Sequence, residues 1–177
     1  MIIICSLLAV AVSCSKPHDA ATDANTSNYY PVQAFFKKEV DSLRQHNPTV
    51  QKTVGKDADE ETKTVHIKNW EAELGAFLAI DLTKATYAGM YEVDSTERQI
   101  LYTAKSDDVD IQSLSILFDE SHQVTTITAM KNEDNFLYQN REQLSYLRGK
   151  GYTLFKEQHI LLLGTTQYQI VGKFDTN

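Results

Sequence analysis

Gln112-Ser113-Leu114-Ser115-Ile116-Leu117-Phe118, a polar break at Asp119-Glu120-Ser121, and Val124-Thr125-Thr126-Ile127-Thr128-Ala129-Met130-Lys131 form the passage that decides the fold. Apolar and polar side chains alternate on both sides of the break. A period of two marks a half-buried strand, because successive side chains of a strand point to opposite faces. The same period holds from Ala88 onward, with further strands expected at Met90 to Val93, Gln99 to Ala104 and Phe136 to Asn140, and two more near His159 to Leu163 and Tyr168 to Phe174. Turn-forming residues separate them at Asp94-Ser95, Ser106-Asp107-Asp108, Asn132-Glu133-Asp134 and Gly164-Thr165-Thr166. Short connections of this kind pair neighbours antiparallel, so a β-meander is expected. Between Arg141 and Tyr152 the pattern does not decide, and Arg141 to Arg148 fits helix or strand.

Upstream of the meander the period lengthens. Pro31 suits the first turn of a helix, and Val32, Phe35, Phe36, Val40 and Leu43 recur at helical spacing as far as Asn47-Pro48. Val50 and Val54, then Val65 and Ile67, alternate with polar residues around Asp57-Ala58-Asp59-Glu60-Glu61, which reads as a β-hairpin with an acidic tip. Asn69 is placed to cap a second helix in which Trp70, Leu74, Phe77 and Leu78 share a face. The expected fold is therefore α+β: a curved antiparallel β-sheet, built as a meander, with two amphipathic helices packed on one face. One domain over residues 29–177 accounts for it, since 177 residues supply one proper core and not two.

The amino terminus speaks to location. Met1 to Ser13 carries no charge, and Ile2-Ile3-Ile4 with Leu7 to Val12 makes an apolar run of signal-peptide length, shorter than the ~20 residues a bilayer span takes. It runs into Ala11-Val12-Ser13-Cys14, which resembles a bacterial lipobox: small residues before a cysteine that receives diacylglycerol and becomes the new amino terminus. Ala11 stands where such boxes more often carry Leu, and no Lys or Arg precedes the apolar run. The expectation is a lipoprotein signal peptide over 1–13, a lipidation site at Cys14 and a flexible tether over 14–28. From Ser15 to Asn28 no large apolar side chain offsets the entropy of ordering. Fourteen such residues reach roughly 20 Å root-mean-square, so the domain would sit close to the bilayer. Cys5 lies in the removed segment and Cys14 is consumed by the lipid, which leaves neither a disulfide nor a thiol in the mature chain. A multiply acylated cysteine, palmitate included, would anchor it firmly.

Composition and motifs exclude several activities. A net charge of -7 and the lack of a basic stripe argue against nucleic acid as a partner. His18, His46, His66, His122 and His159 are scattered, none at the spacing of a zinc pair, so no metal is expected. Asp57, Asp59, Glu60 and Glu61 suggest calcium only superficially, because Gly55 precedes the cluster instead of standing at the sixth position of a loop. No Gly-x-Ser-x-Gly elbow and no phosphate-binding glycine loop occurs, and Ser121-His122 reads as a turn. Neither a catalytic residue nor a cofactor is assigned. Tyr29, Tyr30, Tyr87, Tyr91, Tyr102, Tyr138, Tyr146, Tyr152 and Tyr168, with Phe35 and Phe36, are the remaining distinctive feature. They suit either a binding surface or half-buried strand positions.

Several strings, Glu61-Thr62-Lys63-Thr64-Val65-His66-Ile67-Lys68-Asn69-Trp70, Tyr91-Glu92-Val93-Asp94, Leu101-Tyr102-Thr103-Ala104-Lys105 and Leu162-Leu163-Gly164, give the stretch from Tyr29 onward a texture that resembles uncharacterised envelope lipoproteins of the Bacteroidetes type. The resemblance implies an envelope location, with the outer membrane favoured and the domain facing the periplasm or the cell surface. It implies no activity. The expected role is non-catalytic, binding or structural, in a monomer whose partners are the membrane through its lipid anchor and an envelope protein or an apolar ligand. A curved sheet under helices can enclose an apolar cleft, as in periplasmic lipoprotein carriers, a comparison of architecture alone. The rival expectation is a hydrolase of envelope polymers using paired carboxylates, which two acids facing each other across a cleft would favour.

Overall fold

The computed structural model describes residues 29–175. The expected signal segment, Cys14 and the tether lie outside the described residues. The chain opens with helix α1 (Val32–His46), followed by the hairpin β1 (Thr49–Lys56) and β2 (Asp59–His66). Two single helical turns come next, α2 (Trp70–Glu73) and α3 (Gly75–Leu78), and then seven strands. These are β3 (Tyr91–Ser95), β4 (Gln99–Ala104), β5 (Ile111–Phe118), β6 (Val124–Asp134), β7 (Tyr138–Leu147), β8 (Gly151–Ile160) and β9 (Gly164–Phe174). All nine strands form one open antiparallel sheet in the order β2-β1-β9-β8-β7-β6-β5-β4-β3. The meander runs from β3 to β9 without a crossover, and the early hairpin joins it where β1 pairs with β9, Val50 opposite Phe174.

Strand boundaries differ from the expectation at several places: Asp94-Ser95, expected as a turn, continues β3 opposite Leu101 and Ile100. Asn132-Glu133-Asp134 continues β6, because Asn132, Glu133 and Asp134 pair with Arg141, Asn140 and Gln139. The turn falls instead at residues 135–137, where the Asn135 side-chain oxygen accepts from the backbone of Leu137 at 2.9 Å and of Tyr138 at 3.1 Å. Phe136 is thus loop, not strand. Residues 161–163 are the β8–β9 turn, whereas Gly164-Thr165-Thr166 begins β9. The undecided stretch from Arg141 to Tyr152 is strand, turn and strand: Leu144 faces Leu154 and Tyr146 faces Tyr152 across the β7–β8 pair.

The second expected helix is interrupted. Asn69 does cap α2, accepting from the Ala72 amide at 3.0 Å, but Leu74 leaves the helical region at φ -95°, ψ 17° and Gly75 starts a new turn. Ile80 and Leu82, on the irregular chain that follows, are fully buried. The core draws Val32, Phe36, Val40 and Leu43 from α1, Trp70, Leu74 and Phe77 from α2 and α3, and alternate strand residues. Those strand residues include Leu114, Ile116, Ile127, Ala129, Leu144, Tyr146 and Tyr152. Register places them on one face, since Leu114 opposes Ala129, Ala129 opposes Leu144 and Leu144 opposes Leu154. The other face shows Ser113, Ser115, Thr126, Thr128 and Ser145, as expected of an antiparallel sheet with one face in water. Edge strand β2 is charged and exposed, which discourages pairing with another sheet.

Aromatic rings fill the centre of this core. Phe36 lies 5.2 Å from Tyr146 and 5.1 Å from Phe77, and Trp70 meets Phe174 edge-on at 5.7 Å. Such pairs add ~0.5–1.5 kcal/mol beyond their buried area. Tyr152 can pack against β9 only because residue 172 is glycine: a Cβ there would stand about 2.2 Å from the Tyr152 ring. Gly151, at φ +151°, is held just as tightly by the carbonyl of Gly172.

Candidate functional site

Two buried tyrosines bring carboxylates from the helical segments onto the sheet. The Tyr146 hydroxyl donates to Glu39 of α1 at 2.7 Å, and Arg148 Nε donates to the other Glu39 oxygen at 3.0 Å. The Tyr152 hydroxyl donates to Glu73 of α2 at 2.5 Å, and Lys52 Nζ reaches the same carboxylate at 2.8 Å. Burial, reinforced by the neighbouring carboxylate, pushes the ionisation of both tyrosines far above the ordinary value of 10.0. Because Tyr146 and Tyr152 are cross-strand partners, the two clusters stand side by side. Both carboxylates and both hydroxyls are paired, so the clusters read as attachments.

Away from these clusters, the same sheet face becomes polar. Two residues beyond Ala129, Leu144, Leu154 and Ile170, one row runs Lys131, Glu142, Lys156, Tyr168 and Lys56 across five strands. The next row on that face is Glu133, Asn140, Gln158 and Thr166. Glu142 is gripped by Lys156 at 3.3 Å and Lys131 at 3.5 Å, and accepts from Asn140 Nδ2 at 3.3 Å. Burial works against the Glu142 charge, but Lys131, Asn140 and Lys156 outweigh it and hold the carboxyl below its ordinary value. Lys56 stands 5.7 Å over the Tyr168 ring.

Asp110, Lys131, Asn132, Glu133, Asn140 and Glu142 line a recess of about 250 Å³ at this place. Asn140 is only 9% exposed, and its Oδ1 has no hydrogen-bond partner among the described residues. A buried acceptor left unmatched costs ~1–3 kcal/mol, so it marks a position at which a donor is wanted. Two of the other acids are engaged, Asp110 by the Tyr87 hydroxyl at 2.6 Å and Glu133 by the Tyr138 hydroxyl at 2.5 Å. Two larger depressions are more open: one of about 480 Å³ at Leu147, Tyr152, Val171 and Phe174, and one of about 500 Å³ at Tyr87, Met90, Lys105 and Val109.

The histidines stay apart. His46 bonds the Ser42 carbonyl at 2.7 Å, His159 bonds Thr165 at 3.0 Å, and His122 sits in the β5–β6 turn at φ 55°. No group of three or more His, Cys, Asp or Glu is placed to hold a metal among the described residues. Asp57, in the acidic hairpin tip, accepts from the Gln167 amide at 2.9 Å and so joins that tip to β9. Of the tyrosines, Tyr29, Tyr91, Tyr102, Tyr146 and Tyr152 are buried in the core. The recess residues Lys131, Asn140 and Glu142 were not singled out by the sequence. Their signal was the period of two at 140, 142, 144 and 146, which becomes readable once β7 is known to be a strand.

No protein-family model, curated protein or solved structure matches the chain.

Proposed function

We propose that the chain is a membrane-anchored lipoprotein of the bacterial cell envelope, exported on residues 1–13 and acylated at Cys14, whose domain is a non-catalytic binding module. In this reading the sheet is curved, α1 and the α2–α3 segment form one covering layer on it, and the recess at Asn140 takes the ligand. The observation that carries the binding role is the buried, unpartnered Oδ1 of Asn140 beside an ion-paired Glu142. Such a lining suits a small hydroxyl- or amide-bearing group, supplied by an envelope polymer or protein, that donates to Asn140. An apolar cargo is disfavoured, because Phe36, Trp70, Phe77 and Tyr146 already occupy the space between the helical segments and the sheet.

Glu133 and Glu142 share the recess, which gives the hydrolase reading its footing. Glycoside hydrolysis needs a carboxylic acid that keeps its proton near neutral pH, and two ammonium groups hold Glu142 in the opposite state. Two experiments test the proposal. Cys14→Ser should move the protein from the detergent phase to the aqueous phase on detergent partitioning, and unchanged partitioning would overturn the anchor. Titration with N-acetylglucosamine, followed by amide chemical shifts, should perturb Asn140 and Glu142 in the parent and leave Asn140→Leu unaffected. Identical responses in both would remove the recess as the binding site.

A further inference from the structure

Beyond the anchor and the recess, the geometry points to a second membrane contact: we propose that the paired tips of the β6–β7 and β8–β9 hairpins insert into the lipid interface. The row Ile111, Lys131, Glu142, Lys156, Tyr168 and Lys56 is the last that spans β5 to β1. Past it β6, β7, β8 and β9 continue, and the outermost β7–β8 pair is Tyr138 with Ile160. Ile160 lies four residues beyond Lys156, so these hairpins project roughly 13 Å at ~3.3 Å per residue.

The end of the projection is apolar. Phe136 is 88% exposed, Leu162 96% and Leu163 81%, with Leu137 and Leu161 also exposed. The two tips form one unit, because the Leu161 amide donates to the Leu137 carbonyl at 3.0 Å. The Asn135 side chain, bonded to the Leu137 and Tyr138 amides, holds Phe136 out at the turn. Leu162 adopts φ 71°, a left-handed conformation that glycine or asparagine takes readily and leucine only under strain. A bulky apolar side chain thus occupies the most exposed position of a turn that would be easier to make without it. Water gives no reason for that choice.

The shape selects the occupant. A stable protein interface takes about 20–30 residues a side, and this convex tip offers five. A bilayer interface accepts apolar groups to a depth of ~5–10 Å, which the projection supplies. Directly behind the tip, Tyr138 places a ring with a polar end where aromatic residues favour the headgroup level. Glu133, Asp134 and Glu157 on the stem outnumber the cations there, so attraction to anionic lipid is not what drives the contact.

The test uses the chain from residue 15 onward, which carries neither the apolar run of residues 1–13 nor the acylated cysteine, and flotation with phosphatidylcholine vesicles. It is independent of the recess and of acylation. The parent should float with the vesicles, and adding phosphatidylglycerol should not strengthen binding. Phe136→Ser/Leu162→Asn should reduce the bound fraction about tenfold while unfolding at the same temperature or higher, because asparagine relieves the strain at position 162. Val93→Ser, an exposed apolar change on edge strand β3, should bind like the parent. Equal flotation of the double variant, or no flotation of the parent, would overturn the proposal. So would a parent dimer in sedimentation equilibrium that the same double variant dissolves, since the tip would then bind a second copy of the chain.

Discussion

Tyr146→Phe removes one oxygen from the centre of the molecule and tests whether Glu39 holds α1 to the sheet. The hydroxyl donates to a Glu39 carboxylate that is 9% exposed, at 2.7 Å. Hydrogen bonds to charged groups contribute ~1.5–3 kcal/mol. Arg148 remains on the other oxygen, but its side chain is 44% exposed, and a pair so open to solvent is worth only ~0–1 kcal/mol. It cannot replace the lost bond. The expected cost is therefore ~1.5–3 kcal/mol, a fall in unfolding midpoint of about 3–12 °C for a chain of this size. Glu39→Gln measured alone and with Tyr146→Phe closes a double-mutant cycle, in which a coupling of ~0.5–3 kcal/mol is expected for groups in contact. Calorimetry or urea unfolding reads both. A midpoint within about 1 °C of the parent, with no coupling in the cycle, would refute the reasoning and leave the burial of Phe36 and its neighbours as the whole attachment.

Trp70→Ala should cost ~3–5 kcal/mol, because Trp70 is 1% exposed against Phe174 and truncation leaves a cavity; a variant as stable as the parent would remove Trp70 from the core. Gly172→Ala should cost ~1–3 kcal/mol by driving Tyr152 off β9, seen as a lowered midpoint that Gly172→Ala/Tyr152→Leu recovers; full stability of the single variant would contradict the packing. Glu142 has a depressed folded value, so its stabilisation is present above the ordinary 4.5 and is lost as pH falls through the folded value. The stability gap between parent and Glu142→Gln should accordingly narrow below pH 4.5, and a gap independent of pH would contradict the assignment. Tyr146 and Tyr152 have raised folded values, so their contribution is complete below 10.0 and is lost as pH rises above it. Absorbance titration should show their ionisation only with alkaline unfolding, and ionisation in the folded protein would refute their burial.

The sheet was legible where alternation was clean. Ile116 and Ile127, paired across β5 and β6, announce both strands and the face they share. The hairpin of β1 and β2 was equally plain, but its attachment to β9 was not. Val50 opposing Phe174 is a contact between chain ends, and no local period encodes it. In β7 and β8 the signal failed because the core-facing series Asn140, Glu142, Leu144, Tyr146 begins with polar residues, so alternation in hydropathy disappears where the recess begins. The feature that hid the strands is the candidate site. Turn chemistry misled in the same region: Asn132-Glu133-Asp134 has the composition of a turn, but pairing with Gln139, Asn140 and Arg141 keeps it extended. Helical spacing across Leu74 suggested one helix, and only the conformation at Leu74 and Gly75 divides it.

The central claim is that a binding domain hangs from a lipid at Cys14, and mass spectrometry of the protein extracted from its native membranes tests it most directly. The account predicts an amino-terminal peptide that begins at Cys14 and carries a diacylglyceryl group, with residues 1–13 gone. An amino terminus that retains residues 1–13, or an unmodified Cys14 in the membrane-derived protein, would contradict it.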